Sequence, residues 1–263
     1  YNRVLELEPN NLTAISDLAI ALQEGGHHRE ALANLKLAIS LDSEDPVIKL
    51  NYGAALMRSG DLEQASRLFR ALTEQFPDFP IAWSNLGCAL QENRAYEEAQ
   101  KAHEKAFPLA PKHPAIRWNM AMTSLLVGDY RNGFKHFEAR RFMPDRKPRD
   151  FPGREWTNES LSGRTILVHA EQGLGDTIQF ARFLTNLSSR GGCVIASVHS
   201  ALAHLVEGIE GVSQVIRNGE TAPHYDFQMP LLSLPYRLDL DLNNLAGNMP
   251  YIVTPESAKS ANP

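Results

Sequence analysis

The chain has 263 residues, of which 43% are hydrophobic and 22% charged, and its formal net charge is −5 at pH 7. This balance is typical of a globular protein and gives no basic excess that would attract nucleic acid or an anionic membrane surface. Two cysteines, Cys88 and Cys193, exclude a disulfide framework and have no metal-ligand spacing around them. No apolar run approaches the roughly 20 residues needed to cross a bilayer, so we expect no membrane span. Free cysteines suit a reducing compartment, so we expect a cytoplasmic protein. The cysteine spacing and the charge predict neither a bound metal nor a nucleic-acid partner.

Small, aromatic and proline residues recur along the first half of the chain at steps of 34 positions. The clearest series are Ala31, Ala65, Ala99 and Gly133; Pro46, Pro80 and Pro114; Ala19, Gly53, Gly87 and Ala121; and Leu35, Phe69, His103 and Phe137. This period indicates a repeated helix–turn–helix unit, in which small residues let two helices approach and large residues fill the groove between them.

The repeat resembles the tetratricopeptide (TPR) family, whose unit has the same length and the same pattern of small and large residues. The stretches Trp83–Gly87 and Tyr96–Ala99 are close to its consensus. The resemblance covers about four repeats, and residues 1–9 are interpreted as the second helix of an earlier, truncated one. It implies an all-α superhelix over residues 1–141, whose last helix, 130–141, caps the array.

One position on the first helix of each repeat is polar throughout, and it holds Asp17, Asn51, Asn85 and Asn119. The first helices of stacked pairs line the concave side of a superhelix, and a carboxamide carries both a donor and an acceptor for a peptide group. The array is also similar to that of TPR-bearing glycosyltransferases such as the O-GlcNAc transferase, in which an asparagine ladder at this position holds the substrate polypeptide. The resemblance implies that a protein or an extended peptide binds in the concave groove. The alternative is that these side chains make only local contacts between helices.

After Pro144 the helical period ends and a different pattern begins. The prolines and glycine of residues 142–163 predict a linker. Beyond it, short apolar runs alternate with stretches of helical spacing, which predicts βαβ units and a Rossmann-like α/β domain over residues 164–263. The candidate strands are 164–169, 193–198, 213–216, 226–229 and 251–253.

The loop after the first predicted strand is where we expect functional groups, because ligands bind at the carboxyl ends of parallel strands. It contains Gly173 and Gly175, which permit positive φ and close approach of a ligand. The third glycine of a dinucleotide fingerprint is replaced by Ile178, so a nicotinamide cofactor is not predicted. His169, within the same strand, is interpreted as a hydrogen-bonded core residue.

Residues 169–182, with Pro230–Pro235 downstream and Trp156 upstream, are similar to bacterial TPR proteins that carry a GT-B glycosyltransferase domain related to the heptosyltransferases. The resemblance implies that this half of the chain is the N-terminal half of a GT-B fold. It also implies that Asp176 is the general base toward an acceptor hydroxyl, which is a poor nucleophile until its proton is being removed. The alternative is that Asp176 is the N-cap of a helix that begins at Thr177.

The same resemblance predicts an acceptor loop formed by Glu171, Gln172, Gly173 and Gly175. GT-B enzymes bind the nucleotide-sugar in a second domain, which we expect to be missing from this chain. The resemblance therefore implies a glycosyltransferase fragment that is inactive alone and has no cofactor, with a nucleotide-sugar donor expected only for a full-length enzyme. The alternative is a non-catalytic TPR adaptor whose α/β domain serves for docking or capping.

Overall fold

A computed structural model describes residues 1–42, 44–144, 151–245 and 251–252. The chain divides into two compact units, Tyr1–Val127 and Gly128–Pro263. The sequence placed the end of the helical array at residue 141, whereas the helix that begins at Tyr130 lies within the second unit.

The first unit consists of helices that alternate as the repeat predicts. Their bounds are α1 Asn2–Leu7, α2 Leu12–Glu24, α3 His28–Leu41, α4 Pro46–Arg58, α5 Leu62–Gln75, α6 Pro80–Glu92, α7 Tyr96–Leu109 and α8 Pro114–Leu126. We call α2, α4, α6 and α8 the A helices and α3, α5 and α7 the B helices. The recurring prolines are the first residues of α4, α6 and α8, where a missing N–H costs nothing.

Local signals fix where the helices begin and where the chain turns between them. Asp45 and Asp61 accept hydrogen bonds from first-turn amides of α4 and α5, as N-cap residues do. The turn from an A helix to a B helix requires a positive φ, which Gly60 supplies at 87°. In the next repeat Arg94 occupies this position and adopts a φ of 62°. The turn therefore keeps its positive φ even where the glycine is missing.

The core of the array pairs a glycine on an A helix with a ring on the following B helix. A Cβ added to Gly53 would lie 2.5 Å from the ring of Phe69, and one added to Gly87 would lie 2.5 Å from the ring of His103. No side chain fits in either place, because carbon atoms in favourable contact lie about 3.5–4.0 Å apart. The 34-residue period therefore reflects a size constraint between helices, and the predicted array of helix pairs is confirmed.

The A helices approach one another more closely along the array than the B helices do. Contacts run from α2 to α4, from α4 to α6 and from α6 to α8. Closer packing on one side of a stack bends it toward that side. The A helices therefore lie on the inner side of the curved array.

His103 is the polar member of an otherwise apolar series of core residues. Its side chain is buried, and neither ring nitrogen has a hydrogen-bond partner in the described part of the chain. Burial lowers the pKa of His103 from its ordinary value of 6.5 to about 4. The folded array therefore contains a neutral imidazole in an apolar slot, where protonation is costly.

Replacing His103 with phenylalanine should stabilise the first unit at acid pH. As the pH falls from 6.5 toward 4, His103 binds a proton in the unfolded chain but not in the folded chain. The wild-type protein therefore loses stability across that window. The loss is on the order of 3 kcal/mol. Phenylalanine fits because Phe69 fills the equivalent slot against Gly53.

The measurement is urea unfolding followed by far-UV circular dichroism at neutral pH and near pH 4.5, with the exposed histidine variant His113→Gln as control. We expect His103→Phe to lose less stability on acidification than either the wild type or the control. An equal loss in all three proteins would contradict a buried neutral His103.

The second unit, within its described residues, contains a four-stranded sheet with short helices around it. The helices are α9 Tyr130–Phe137, α10 Leu174–Ala181, α11 Leu184–Ser188, α12 Ala203–Glu207 and α13 Leu234–Arg237. Segments of 3-10 helix span Glu138–Phe142, Ser200–Leu202 and Leu231–Ser233. The strands are β1 Thr165–His169, β2 Cys193–Val198, β3 Val212–Arg217 and β4 Phe227–Pro230.

All four strands are parallel, in the order β3-β2-β1-β4. The prediction of a parallel sheet is confirmed for the first four candidate strands. Of the fifth, Val253 lies outside the described residues, and Tyr251 and Ile252 are not in a strand. Since β2 and β4 flank β1 on opposite sides, the chain changes direction across the sheet between β1 and β4. We call the carboxyl ends of β1 and β4 the switch point, where α/β folds form their ligand crevice.

Part of the predicted linker belongs to the second unit. Residues 145–150 lie outside the described residues, but Trp156 is fully buried and donates its indole N–H to the carbonyl of Glu159 at 2.9 Å. The backbone around Trp156 also pairs with Gln228 of β4. A buried tryptophan and two backbone hydrogen bonds to Gln228 tie this stretch to the sheet.

Helix α9 packs against α10 through three phenylalanine rings. Phe137 stacks on Phe180 with 6.4 Å between ring centroids, and Phe134 meets the same ring edge to face at 6.4 Å. Aromatic pairs of this kind add to the stabilisation that burial provides. The helix assigned to the array from its sequence is therefore packed in the α/β unit.

Two further features bear on function classes. No helix among the residues placed by the structure is long and apolar enough to cross a bilayer. The same residues contain no group of three or more histidine, cysteine, aspartate or glutamate side chains arranged to hold a metal ion.

Candidate functional site

Asp17, Asn51, Asn85 and Asn119 occupy equivalent positions on the four A helices, and each is partly buried. The residues one turn further along the same helices are Ile20, Ala54, Cys88 and Met122. Residues three apart lie on the same side of a helix. We call these eight residues the A-helix face.

The members of the A-helix face differ in what they contact. Asn119 donates a hydrogen bond from Nδ2 to Oγ of Ser84, on the preceding A helix, at 3.1 Å. Asn51 and Asn85 form no side-chain hydrogen bond with any described residue. The local-contact alternative therefore describes Asn119, whereas the carboxamides of Asn51 and Asn85 are available to another molecule.

The predicted acceptor loop lies at the switch point, between β1 and α10. Helix α10 begins at Leu174, and Gly173 is its N-cap. Asp176 is in the first turn of α10, so the alternative that it caps a helix beginning at Thr177 is wrong. A carboxylate in a first helical turn is favoured by the helix dipole. Asp176 is partly buried and accepts no hydrogen bond within the described ranges.

The two loop glycines are not required by the backbone conformation. Gly173 has a φ of −65°, and neither Gly173 nor Gly175 is among the residues with positive φ. A Cβ at Gly175 would meet nothing within 4 Å. The glycines therefore leave space above the loop rather than permitting a strained turn.

Glu171 is held by a side chain that the sequence did not point to. Arg140, from the 3-10 segment after α9, is fully buried and donates to Glu171 Oε1 from Nε at 3.2 Å and from Nη2 at 2.5 Å. Nη2 also donates to Ser233 Oγ, in the loop after β4, at 2.8 Å. Arg140 therefore joins the two loops that form the switch point.

The remaining donors of Arg140 are also used. Nη1 donates to Glu138 Oε1 at 2.7 Å and to the carbonyl of Phe137 at 3.3 Å. Ser233 in turn donates from Oγ to Glu138 Oε2 at 2.9 Å. An arginine side chain has five N–H donors, and all five have acceptors here. The guanidinium therefore has no donor left for a bound anion.

The cluster continues as a chain of alternating charges. In the described residues it runs from Glu171 through Arg140, Glu138, Arg141 and Glu155 to Arg237. It contains as many carboxylates as guanidinium groups, so burial of the inner members leaves no net charge. Buried charges are tolerated only when they are paired and hydrogen-bonded.

The loops after β1, β2 and β3 are joined by a second set of hydrogen bonds. His199 Nε2 lies 3.1 Å from the carbonyl oxygen of Gln172, and His199 Nδ1 lies 3.1 Å from Asn218 Nδ2. A carbonyl oxygen accepts and an amide Nδ2 donates, so His199 donates from Nε2 and accepts at Nδ1 in this arrangement. The acceptor loop is thus held on one side by Arg140 and on the other by His199.

His169 is buried at the end of β1, and its Nε2 lies 3.1 Å from Oε1 of Gln228 on β4. The interpretation of His169 as a hydrogen-bonded core histidine is confirmed.

Comparison with known proteins supports the assignment of the first unit. Sequence profiles described as tetratricopeptide repeat match residues 22–86 and 81–113. This part of the chain therefore carries TPR repeats.

Curated proteins and solved structures are similar to parts of this chain. Protein FlbA of Caulobacter vibrioides is 29% identical over 208 residues, which are 76% of this chain and 35% of FlbA. The peroxisomal targeting signal receptor of Eremothecium gossypii is 31% identical over 102 residues, covering 39% of this chain and 18% of the receptor. A solved TPR protein of Thermus thermophilus aligns with a TM-score of 0.48 at 15% identity, over 51% of this chain and 75% of that protein. The chain thus spans about a third of FlbA and under a fifth of the receptor.

Changing Glu155 to glutamine should reduce the acid sensitivity of the second unit. Hydrogen bonds from Arg141, together with those from Arg237, hold the pKa of Glu155 below its ordinary value of 4.5. As the pH falls through the lowered pKa, the carboxylate is protonated and its contribution to stability, fully present above pH 4.5, is lost.

The measurement compares thermal unfolding at pH 7 and pH 3.5 for the wild type, Glu155→Gln and the exposed control Glu210→Gln. We expect Glu155→Gln to be less stable at neutral pH and to lose less on acidification. If the control and Glu155→Gln behave alike, Glu155 carries no part of the acid sensitivity.

Proposed function

We propose that this chain binds a protein partner as an extended polypeptide along the A-helix face. The observation that carries the proposal is the pair of unengaged carboxamides of Asn51 and Asn85, at equivalent positions on neighbouring A helices. Each can accept from one N–H and donate to one carbonyl of a peptide. TPR repeats in residues 22–113 support it, as does the likeness to a receptor whose name states that it recognises a targeting signal.

The spacing of the two carboxamides favours a particular geometry of the bound chain. Packed helix axes lie about 8–10 Å apart. A polyproline II segment rises about 3.1 Å per residue with three residues per turn. One turn therefore advances roughly 9 Å, which matches one step between A helices. Every third peptide group of the partner would then meet Asn51 or Asn85 in the same orientation.

Replacing both Asn51 and Asn85 with alanine should weaken partner binding by about 30-fold. Each lost carboxamide removes about 1 kcal/mol of binding free energy, and the two losses add. The measurement is titration calorimetry with a polypeptide first isolated by co-purification with the wild-type chain. The matched control is Asn119→Ala, which removes the same side chain at the same repeat position but one already bonded to Ser84. Equal effects of Asn119→Ala and of the double variant, with folding intact, would remove the proposed ladder.

We further propose that the α/β unit is the acceptor-side half of a GT-B glycosyltransferase. The strand order β3-β2-β1-β4 supports it, since Rossmann-like sheets are ordered this way around their switch point. Asp176 is the candidate general base, with Glu171 and Gln172 beside the acceptor. A donor nucleotide-sugar would bind in a further domain, so residues 1–263 alone are expected to show no transfer.

A specific observation favours the second candidate function, a non-catalytic adaptor. The switch point, where a ligand crevice is expected, is occupied by the buried side chain of Arg140. One oxygen of Glu171 is already bonded there. An α/β unit whose ligand crevice is already occupied by its own side chain is better suited to docking another protein than to binding a small ligand there.

Asp176→Asn distinguishes the two functions when it is made in the natural full-length protein. If Asp176 is the general base, transfer of labelled sugar from nucleotide-sugars to the co-purified partner should fall by about 10²–10⁴-fold in kcat. Partner binding should not change. The control is Asp239→Asn, whose carboxylate pairs with Arg131 away from the loop. Absence of transfer by the wild-type full-length protein favours the adaptor.

A further inference from the structure

Arg140 contacts both sides of the switch point from a segment outside the sheet. It bonds Glu171 in the loop after β1 and Ser233 in the loop after β4. The segment that carries it is fixed by α9, whose Phe137 stacks on Phe180 of α10. The guanidinium itself lies over the Phe137 ring, 4.8 Å from its centroid.

The same two elements therefore hold α10 at both of its ends. The Phe137–Phe180 contact lies near the end of α10, whereas Arg140 holds the loop that leads into its start. Asp176 is in the first turn between these two points. A side chain is positioned accurately when the residues around it are themselves locked by packing and hydrogen bonds.

We propose that Arg140 is the positioning residue of this site, which fixes the loop after β1 and with it the carboxylates of Glu171 and Asp176. It does so by bonding Glu171 through Oε1 alone. Glu171 Oε2 accepts no hydrogen bond from a residue that the structure describes and is not among the buried unpartnered atoms. One oxygen of Glu171 is thus held, and the other is not fully buried. The role of these carboxylates toward a sugar acceptor rests on the proposed glycosyltransferase function, whereas the positioning itself is measurable without it.

The geometry requires arginine rather than any cation. Lysine has three donors on a single nitrogen, whereas the fork of arginine reaches Glu138, Glu171 and Ser233 at once. A binding role for Arg140 itself is excluded by the use of all five donors within the protein. Its charge also has its counterions in place, in Glu138 and Glu171.

The test is hydrogen exchange, measured by mass spectrometry on the whole 263-residue chain. The variants are Arg140→Lys, Glu171→Gln and the two combined. Arg131→Lys is the matched control, because Arg131 lies on α9 and pairs with Asp239 and Asp241 through an exposed side chain. Peptides covering residues 170–181, which include the hydrogen-bonded amides of Ala170 and of α10, are compared with peptides from β2 and from the first unit.

We expect Arg140→Lys and Glu171→Gln each to speed exchange in residues 170–181 by about tenfold, the effect of losing a charge-assisted hydrogen bond or its charge. The double variant should be no faster than the faster single one, because both changes break one interaction. Exchange in β2 and in the first unit should stay unchanged, as should all peptides of Arg131→Lys.

Two results would overturn the proposal. One is unchanged exchange in residues 170–181, and the other is an equal increase in β2, which would make Arg140 a general stabilising residue. Should Arg140→Lys not fold, Glu171→Gln and Ser233→Ala test the same contacts from the loop side. The outcome is independent of sugar transfer. A clamped loop, together with absence of sugar transfer by the natural full-length protein, would therefore refute the glycosyltransferase proposal and leave the role of Arg140 intact.

Discussion

The contact between a glycine on one helix and a ring on the next is the constraint from which the first unit follows. At Gly53 and Gly87 there is no room for a single carbon atom, because the rings of Phe69 and His103 fill the space. Repeating this contact every 34 residues gives each helix pair the same internal spacing, so that like pairs stack regularly. The equivalent positions on the A helices are thereby brought onto one face, which is what makes Asn51 and Asn85 a pair.

The second unit is organised around its switch point in a comparable way. Three phenylalanine rings fix α9 on α10, and the buried guanidinium of Arg140 then joins the loops after β1 and β4. Such a cluster is stable because every donor and every inner charge has a partner. The consequence for the proposed function is that a reaction at this edge of the sheet would have to use groups whose hydrogen bonds the cluster does not take up, among them Asp176.

Features of the chain that depend on local or periodic patterns could be predicted from the sequence, and those that depend on distant contacts could not. The period predicted the helices and the equivalence of Asn51, Asn85 and Asn119, but not that Asn119 bonds to Ser84. Short apolar runs predicted the first four strands. Arg140 was assigned to the helical array because its partners, Glu171 and Ser233, are 31 and 93 positions away. A prediction of its role would have needed the sheet order, which no local pattern contains.

The most direct test of the account is to ask which face of the array meets the partner. A photo-crosslinking residue is placed at Ala54, on the A-helix face, or at Leu37, which is exposed on the B helix α3. The account predicts that Ala54 crosslinks to the co-purifying polypeptide, with an extended segment of it at the attachment site, and that Leu37 does not. Crosslinking from Leu37 with none from Ala54 would contradict it.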